Sequence, residues 1–193
     1  MAGEAYVLDG AGEGDSAAEA VAGELLRRLG DAGWRAEAVR LREVEIAPCI
    51  GCFGCWTKTP GRCFRDDGAA EVARRAIRSG LLVYVTSVTF GGYASPLKKA
   101  LDRMICLVSP FFQVVDGEVH HRPRYPRYPR LLGVGVAEGE DGERDRVFET
   151  LVHRNAINLH AQRWAAGVVR SDAPEDRRRV RLDELVRRVG GPP

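Results

Sequence analysis

The sequence predicts an α/β fold in which a doubly wound, five-stranded parallel sheet is covered by helices on both faces. Short apolar segments alternate five times with amphipathic segments, and the apolar segments are bounded by glycine and polar residues. This alternation is typical of parallel strands that are buried on both sides. At 193 residues and 45% apolar content, the chain can build one hydrophobic core. We therefore expect a single domain over residues 1–193.

The first half of the chain predicts three strands and two helices. Residues 5–9 form an apolar strand that enters a glycine-rich turn, after which leucines recur at helical spacing. Residues 34–41 alternate as a second strand does. Asp66 or Asp67 can cap the second helix, and residues 81–87 form the most apolar strand of the chain.

The second half predicts three helices and two strands. A helix begins beside Pro96, where proline is tolerated. The strands are expected at 131–137 and 164–169, and the other two helices at 143–161 and 175–189. In such a sheet the ligand lies beyond the carboxyl ends of the strands, so the loops after the first, third and fourth strands are the candidate binding loops.

One long connection, 108–130, is rich in proline and arginine. Its prolines predict an absence of regular structure. The connection is then either an exposed loop or dimer arm, or a clamp in which the arginines between 122 and 130 bind a phosphate, such as the 2′-phosphate of a nicotinamide cofactor, or a carboxylate.

The net charge and the hydropathy of the chain argue against nucleic acid and membranes as binding partners. The chain has 29 basic and 27 acidic residues, so no global field predicts binding to nucleic acid or to an anionic membrane. No signal peptide and no membrane-spanning segment is recognisable, and we expect a cytoplasmic protein. Thiols stay reduced in that compartment, so clustered cysteines indicate metal or redox chemistry more than disulfides.

The loop after the first strand, "GAGEGDS", can bind a phosphate through its backbone N–H groups and the following helix N-terminus. However, Asp9, Glu13 and Asp15 would each oppose a phosphate by about 2 to 3 kcal/mol at 6 Å. Alternatively, Ser16 and Glu19 form a capping box that needs no ligand. The candidate cofactor-binding residues of this loop are Gly10, Gly12, Gly14 and Ser16.

The loop after the third strand has two glycines between aromatic residues, which lets the backbone approach a flat ligand while the aromatic rings stack on it. A turn with aromatic packing is the alternative. The candidate cofactor-binding residues here are Ser87, Val88, Thr89, Phe90, Gly91, Gly92 and Tyr93. Candidate proton donors are Tyr93, His120 and His121. We expect Asp102 and Arg103 to form a buried or interface ion pair.

Four cysteines, Cys49, Cys52, Cys55 and Cys63, lie within fifteen positions. Overlapping C-x2-C-x2-C spacing with a fourth cysteine nearby suits a [4Fe-4S] cluster better than zinc. Buried thiols that pack beneath a loop are an equally good interpretation, and a redox-active or zinc-binding role is a third one. Cys106, on a helix, is expected in the core.

The segments "CIGCFGCW", "GRCFRDD" and "TSVTFGGYASPLKKALDR" resemble the NAD(P)H-dependent FMN reductases of the flavodoxin-like superfamily, which include iron-sulfur flavoproteins. The resemblance implies a flavodoxin-like sheet of strand order 2-1-3-4-5 with FMN at its carboxyl edge. It also implies hydride transfer from NAD(P)H to the flavin, and a homodimer or homotetramer. At the family's arginine and asparagine positions in the first loop, this chain has Glu13 and Asp15.

These observations predict an FMN-dependent NAD(P)H oxidoreductase that reduces a small acceptor, such as a quinone or a free flavin. One alternative is an iron-sulfur flavoprotein that carries electrons between proteins through a [4Fe-4S] cluster. Another is a flavin-poor binding or scaffold domain, in which the acidic first loop no longer holds a phosphate.

Overall fold

The computed structural model describes residues 3–115 and 117–192. In chain order its elements are β1 (Glu4–Asp9), α1 (Ser16–Asp31), β2 (Arg35–Arg40), α2 (Gly54–Thr57), α3 (Ala69–Arg78), β3 (Leu81–Thr89), β4 (Gly92–Tyr93), α4 (Ser95–Arg103), β5 (Val108–Val115), β6 (Glu118–Pro123), β7 (Arg130–Ala137), α5 (Gly142–Asn158), β8 (Trp164–Arg170) and α6 (Glu175–Val189). Short 3₁₀ turns follow β2 and α4.

The five long strands β2, β1, β3, β7 and β8 form a parallel sheet in that order. The predicted fold class is confirmed, and the order corresponds to 2-1-3-4-5 for the five predicted strands. The two-residue β4 adds a short antiparallel ladder at the end of β3. The loops that follow the carboxyl ends of the five parallel strands therefore lie at the same edge of the sheet.

Side chains of each strand alternate between two cores. Val7 and Val83 point to the face covered by α1 and α6, where Leu25 and Leu185 are fully buried. Leu8, Leu82 and Tyr84 point to the opposite face, which α3, α4 and α5 cover. Burial on both sides explains why the strands are continuously apolar in sequence.

The proline-rich connection is where the prediction of irregular structure is wrong. β5 and β6 pair as an antiparallel hairpin within 108–123. Pro110 lies in the register irregularity of this ladder, and Pro123 is the last residue of β6. Proline is tolerated at such positions because it takes no central ladder hydrogen bond there. Irregular backbone is confined to the segment that follows β6.

The arrangement of one domain over residues 1–193 stays a prediction, and residues 1, 2, 116 and 193 of that range lie outside the described part. Among the described helices, none has both the length and the apolar composition needed to cross a bilayer.

Candidate functional site at the carboxyl edge of the sheet

The loop after β1 packs tightly against its neighbours at one end and is open at the other. The Gly10 N–H donates to the Val85 carbonyl at 2.8 Å. A Cβ on Gly10 would lie 2.7 Å from the Leu97 Cβ, so only glycine fits. Around Gly12 and Gly14, by contrast, a Cβ would meet nothing within 4 Å. The loop therefore offers free space directly above β1.

Asp15 caps α1. One carboxylate oxygen of Asp15 accepts from the Ala18 N–H at 3.1 Å, and the other accepts from the Ser87 hydroxyl. The predicted capping box is wrong: Ser16 is an exposed first residue of the helix, and Glu19 pairs with Arg42 at 3.0 Å. Asp15 takes the cap because Ser87, from β3, holds it there. The contact joins the first and third loops.

The loop after β3 forms a tight turn through β4. Phe90 and Gly91 have φ of 50° and 76°, and the Phe90 side chain is fully exposed. Gly91 is buried against α5, where a Cβ would lie 2.6 Å from Val147 Cγ1. Among the predicted residues, Val88 and Thr89 pair with Tyr93 and Gly92 in this turn. The turn thus presents backbone and one exposed ring at the sheet edge.

Tyr93 points inward from the same turn. Its ring packs edge-on against Tyr84 and Phe148, with centroids 6.0 Å away in each case. The Tyr93 hydroxyl accepts from the Asn155 amide at 2.8 Å. Burial raises the Tyr93 pKa far above its usual range, and the Asn155 hydrogen bond only partly offsets this. Tyr93 is therefore neutral at physiological pH and keeps its hydroxyl proton.

A cavity of about 630 Å³ lies beside this turn, between α4, α5 and the cysteine-rich loop of residues 46–65, called the cysteine loop below. Tyr93 and Gly92 line it, together with Lys98 and Asn155. Its other walls are mainly apolar side chains: Ile50, Phe53, Phe64, Leu101, Ile105 and Leu151. The loop after β1 does not contribute to this cavity. Asn155 was not predicted from the sequence; its signal is a polar residue one turn after Leu151 on the inner face of α5.

The other two candidate proton donors lie elsewhere. His120 is buried, and its ring nitrogens contact the Asn158 oxygen and the Glu118 carboxylate, each at 3.1 Å. His121 is held between Trp56 and Phe112, with ring centroids 5.0 and 4.7 Å away. Neither lines the cavity beside Tyr93. Of the three candidates, only Tyr93 meets it.

All four clustered cysteines line the same cavity. Cys49 and Cys52 are exposed, Cys63 is half-buried and Cys55 is buried. Burial raises the Cys55 pKa, and the neighbouring Cys63 raises it further. Within the described residues, no three His, Cys, Asp or Glu side chains are gathered as metal ligands. Four thiols are the right donor set for an iron-sulfur cluster, but their arrangement does not support one. Cys106 is buried, as predicted.

Trp56 fastens the cysteine loop to the body of the molecule. Its indole N–H donates to the Ile105 and Val108 carbonyls at 3.2 and 3.1 Å. Its ring stacks on Phe53 at a centroid distance of 5.1 Å. The loop is thereby held over the cavity.

A buried ion pair fixes the start of the cysteine loop. The Arg103 guanidinium donates to both Asp67 oxygens at 2.7 and 2.9 Å, and to the Ala47 carbonyl at 2.7 Å. The predicted pair of Asp102 with Arg103 is wrong, because these neighbours on α4 point in different directions. Asp102 instead pairs with Lys98 on the exposed side.

Three arginines of the predicted clamp already bind backbone. Arg122 donates to the Phe112 carbonyl at 3.0 Å, and Arg124 donates to the Val108 carbonyl at 3.2 Å. Arg130 donates to the Val189 and Gly191 carbonyls. These guanidinium groups stabilise the hairpin and the C-terminal segment. Because they are already engaged there, these three arginines do not form the predicted phosphate clamp.

Some features of the carboxyl edge fit a flat, polar ligand, and others oppose it. No hydrogen bond within the described residues engages the N–H groups of Gly12, Glu13 or Gly14, and these residues are exposed or half-buried. Free N–H groups and open space fit the chain and phosphate of a flavin, and Gly92, which lines the cavity, leaves room for its ring. The carboxylates of Asp9 and Asp15, however, already occupy the Ala11 and Ala18 N–H groups.

Comparison with known proteins agrees with the geometry. Residues 6–127 match the family model of the NADPH-dependent FMN reductases. A curated iron-sulfur flavoprotein of Methanocaldococcus jannaschii is 31% identical over 80 residues, which cover 42% of this chain and 40% of that protein. The chain thus spans less than half the length of this relative.

Two solved structures show the same fold at low identity. An NAD(P)H:quinone oxidoreductase from Methanothermobacter marburgensis has a TM-score of 0.66 at 12% identity, covering 95% of this chain and 97% of its own. An FMN-dependent NADH-azoreductase from Bacillus anthracis, solved with FMN, has a TM-score of 0.64 at 12% identity, with 94% and 96% covered.

Proposed function

Because the chain belongs to the NADPH-dependent FMN reductase family, we propose that it is an NAD(P)H-dependent oxidoreductase that uses a flavin, FMN in the first instance, to reduce a small acceptor. The observation that carries the proposal is the junction of two loops at the carboxyl edge. There, the Asp15 to Ser87 contact joins the loop that carries the free N–H groups of Gly12 to Gly14 to the end of β3, the strand that leads into the Gly91–Gly92 turn. When bound, the flavin supplies hydride acceptance from the nicotinamide and electron delivery to the acceptor.

The residues around the site have separate tasks. The N–H groups of Gly12 and Gly14 would bind the polar chain of the flavin, and Gly92 would let the ring approach the backbone. Tyr93 stays neutral and is oriented by Asn155, so its hydroxyl can donate a hydrogen bond to a ligand in the cavity. These tasks are binding and orientation.

We propose a flat, largely apolar acceptor such as a quinone. The cavity beside Tyr93 has about 630 Å³ and mainly apolar walls, which is typical of a small-molecule site. Lys98 lies at its rim in an ion pair with Asp102, and its remaining ammonium N–H suits a carbonyl or phenolate oxygen. The names of the two structural neighbours, a quinone oxidoreductase and an azoreductase, support this class of acceptor.

A pair of matched glycine variants tests the proposed site. Gly12→Val fills the open space above β1, whereas Gly23→Val makes the same change on α1, where a Cβ also meets nothing within 4 Å. Flavin-dependent NADPH oxidation and FMN binding by calorimetry are measured for both. Loss of binding in Gly12→Val alone supports the site. Equal binding in the two variants, or no binding by the wild type, contradicts it.

A second candidate function is electron transfer between proteins through an iron-sulfur cluster. The similarity to the M. jannaschii flavoprotein favours it, and the four thiols that line the cavity are the candidate ligands although they are not gathered around one point. Analysis of iron and sulfide after anaerobic purification tests this function. About four irons per chain, lost in Cys55→Ser, would establish the cluster, whereas iron-free protein with full quinone reductase activity would exclude this role.

We also propose that two copies associate through the β5–β6 hairpin. Four apolar side chains of the hairpin are 58 to 71% exposed: Phe111, Phe112, Val114 and Val119. Exposed apolar groups at this density are typical of protein interfaces. Light scattering should give a dimer for the wild type and a monomer for a Phe111→Ser, Val119→Ser double variant. A monomeric wild type would contradict the proposal.

A further inference from the structure

We propose that Asp15 removes the usual preference of this site for a flavin 5′-phosphate, so that the site takes riboflavin at least as well as FMN. The inference rests on the proposed function and concerns which flavins that same site accepts. It follows from the position of one carboxylate.

The Asp15 carboxylate occupies the place where an anion would bind at the start of α1. It takes the Ala18 N–H at 3.1 Å and the Ser87 hydroxyl, which are two donors that could otherwise face a phosphate. The neighbouring Ala11 N–H is taken by Asp9 at 3.0 Å. The chain therefore supplies its own anion at this helix N-terminus, and that anion is fixed by an element 72 residues away.

The charged residues around the loop after β1 do not neutralise a second anion, such as a flavin phosphate. Glu13 lies in the loop itself, and Glu19 lies on the first turn of α1. Arg42 reaches this region and is shared among carboxylates: Glu19 at 3.0 Å, Asp9 at 3.9 Å and Glu43 at 4.0 Å. Arg40, which also acts on Asp9, is paired with Glu43 at 3.3 Å. A phosphate would thus enter a negative region whose nearest guanidinium is already paired.

The negative charge at this loop should affect the binding of FMN and riboflavin differently, although the two flavins have the same ring. FMN must either displace Asp15 from its two donors or bind beside it. At about 6 Å and an effective dielectric near 20, the repulsion weakens binding about 100-fold per unit charge. Riboflavin ends in a hydroxyl, which can hydrogen-bond to the free N–H groups of Gly12 and Gly14 without this repulsion. The flavin ring is the same in both, so the rest of the site does not discriminate between them.

Two isosteric variants separate the specific role of Asp15 from general charge. Asp15→Asn keeps the helix cap, since asparagine is an equally good N-cap residue, and removes the charge. The Ser87 hydroxyl, which donates to Asp15, can rotate to accept from the new amide group. Glu13→Gln removes the same charge from an exposed residue of the same loop. Dissociation constants for riboflavin and FMN are measured by quenching of flavin fluorescence with wild type and both variants, in the same buffer.

We expect the wild type to bind riboflavin as tightly as FMN or more tightly. Asp15→Asn should shift the ratio of the two constants toward FMN by at least about tenfold, and Glu13→Gln by less than about threefold. A wild type that prefers FMN about 100-fold, or an unchanged ratio in Asp15→Asn, would overturn the inference and leave the proposed function intact. Failure of all three proteins to bind either flavin would overturn both.

Discussion

The ion pair between Asp67 and Arg103 offers a sharp test of what holds the cysteine loop in place. The two side chains are 10% and 1% exposed, and they meet through two hydrogen bonds of 2.7 and 2.9 Å. Asp67 also accepts from the Ala47 and Ala69 N–H groups, each at 3.1 Å. One carboxylate therefore joins the cysteine loop, α3 and α4.

Asp67→Asn preserves the shape of this junction and removes its negative charge. Breaking a buried pair by removing one partner costs about 3 to 5 kcal/mol, because the remaining charge is left buried. Asparagine can still accept one hydrogen bond from Arg103, so we expect about 3 kcal/mol. For a chain of this size that corresponds to a fall of about 6 to 12 °C in Tm.

The assay is urea unfolding followed by tryptophan fluorescence, with Asp102→Asn as the matched control. Asp102 pairs with Lys98 on the exposed side of α4, where side-chain exposures are 45% and 57%, and its loss should cost less than about 1 kcal/mol. If Asp67→Asn also costs less than about 1 kcal/mol, the buried pair does not anchor the loop.

The same ion pair predicts that the stability of the folded protein decreases at acid pH. Burial raises the Asp67 pKa, but the hydrogen bonds from Arg103, Ala47 and Ala69 outweigh it and hold the pKa below the usual 3.8. A carboxyl whose pKa is lowered by folding stabilises the native state above its unfolded pKa. This stability should be lost as the pH falls below about 3.8 in the wild type, and the loss should be smaller in Asp67→Asn.

Three further predictions follow from other contacts. Gly10→Ala should cost about 1 to 3 kcal/mol in urea unfolding, because its Cβ would lie 2.9 Å from the Val85 carbonyl oxygen, while Gly23→Ala should not destabilise. Trp56→Phe should cost about 1 to 2 kcal/mol, because the Ile105 and Val108 carbonyls each lose a donor; an unchanged unfolding midpoint would contradict this. Burial lowers the His160 pKa, so wild-type stability should fall as the pH drops below 6.5, and His160→Gln should show a shallower fall.

The sheet could be predicted from the sequence because its signals are local. Each of the five parallel strands is a short apolar run, and each is bounded by polar turns, so strand, helix and loop follow from periodicity. Leu82 and Tyr84, for example, lie in an apolar run that predicts a strand whatever its neighbours in the sheet are. The order of the strands came from the family resemblance, since spacing alone does not determine it.

Contacts between distant segments could not be predicted in the same way. Asp15 caps α1 instead of Ser16 because Ser87, far along the chain, bonds to it. Arg103 pairs with Asp67, 36 residues away, and not with the adjacent Asp102. In both cases the sequence shows a charged residue with several local partners, and only the packing of a second element selects among them.

The most direct test of the proposed function is flavin-dependent oxidation of NADPH by the purified protein, followed by the absorbance of the reduced nicotinamide. With riboflavin or FMN present and a quinone as acceptor, we expect saturable oxidation that requires the protein and is lost in Gly12→Val but not in Gly23→Val. No oxidation above the rate without protein, with either flavin and with either NADH or NADPH, would contradict the assignment of this site to flavin chemistry.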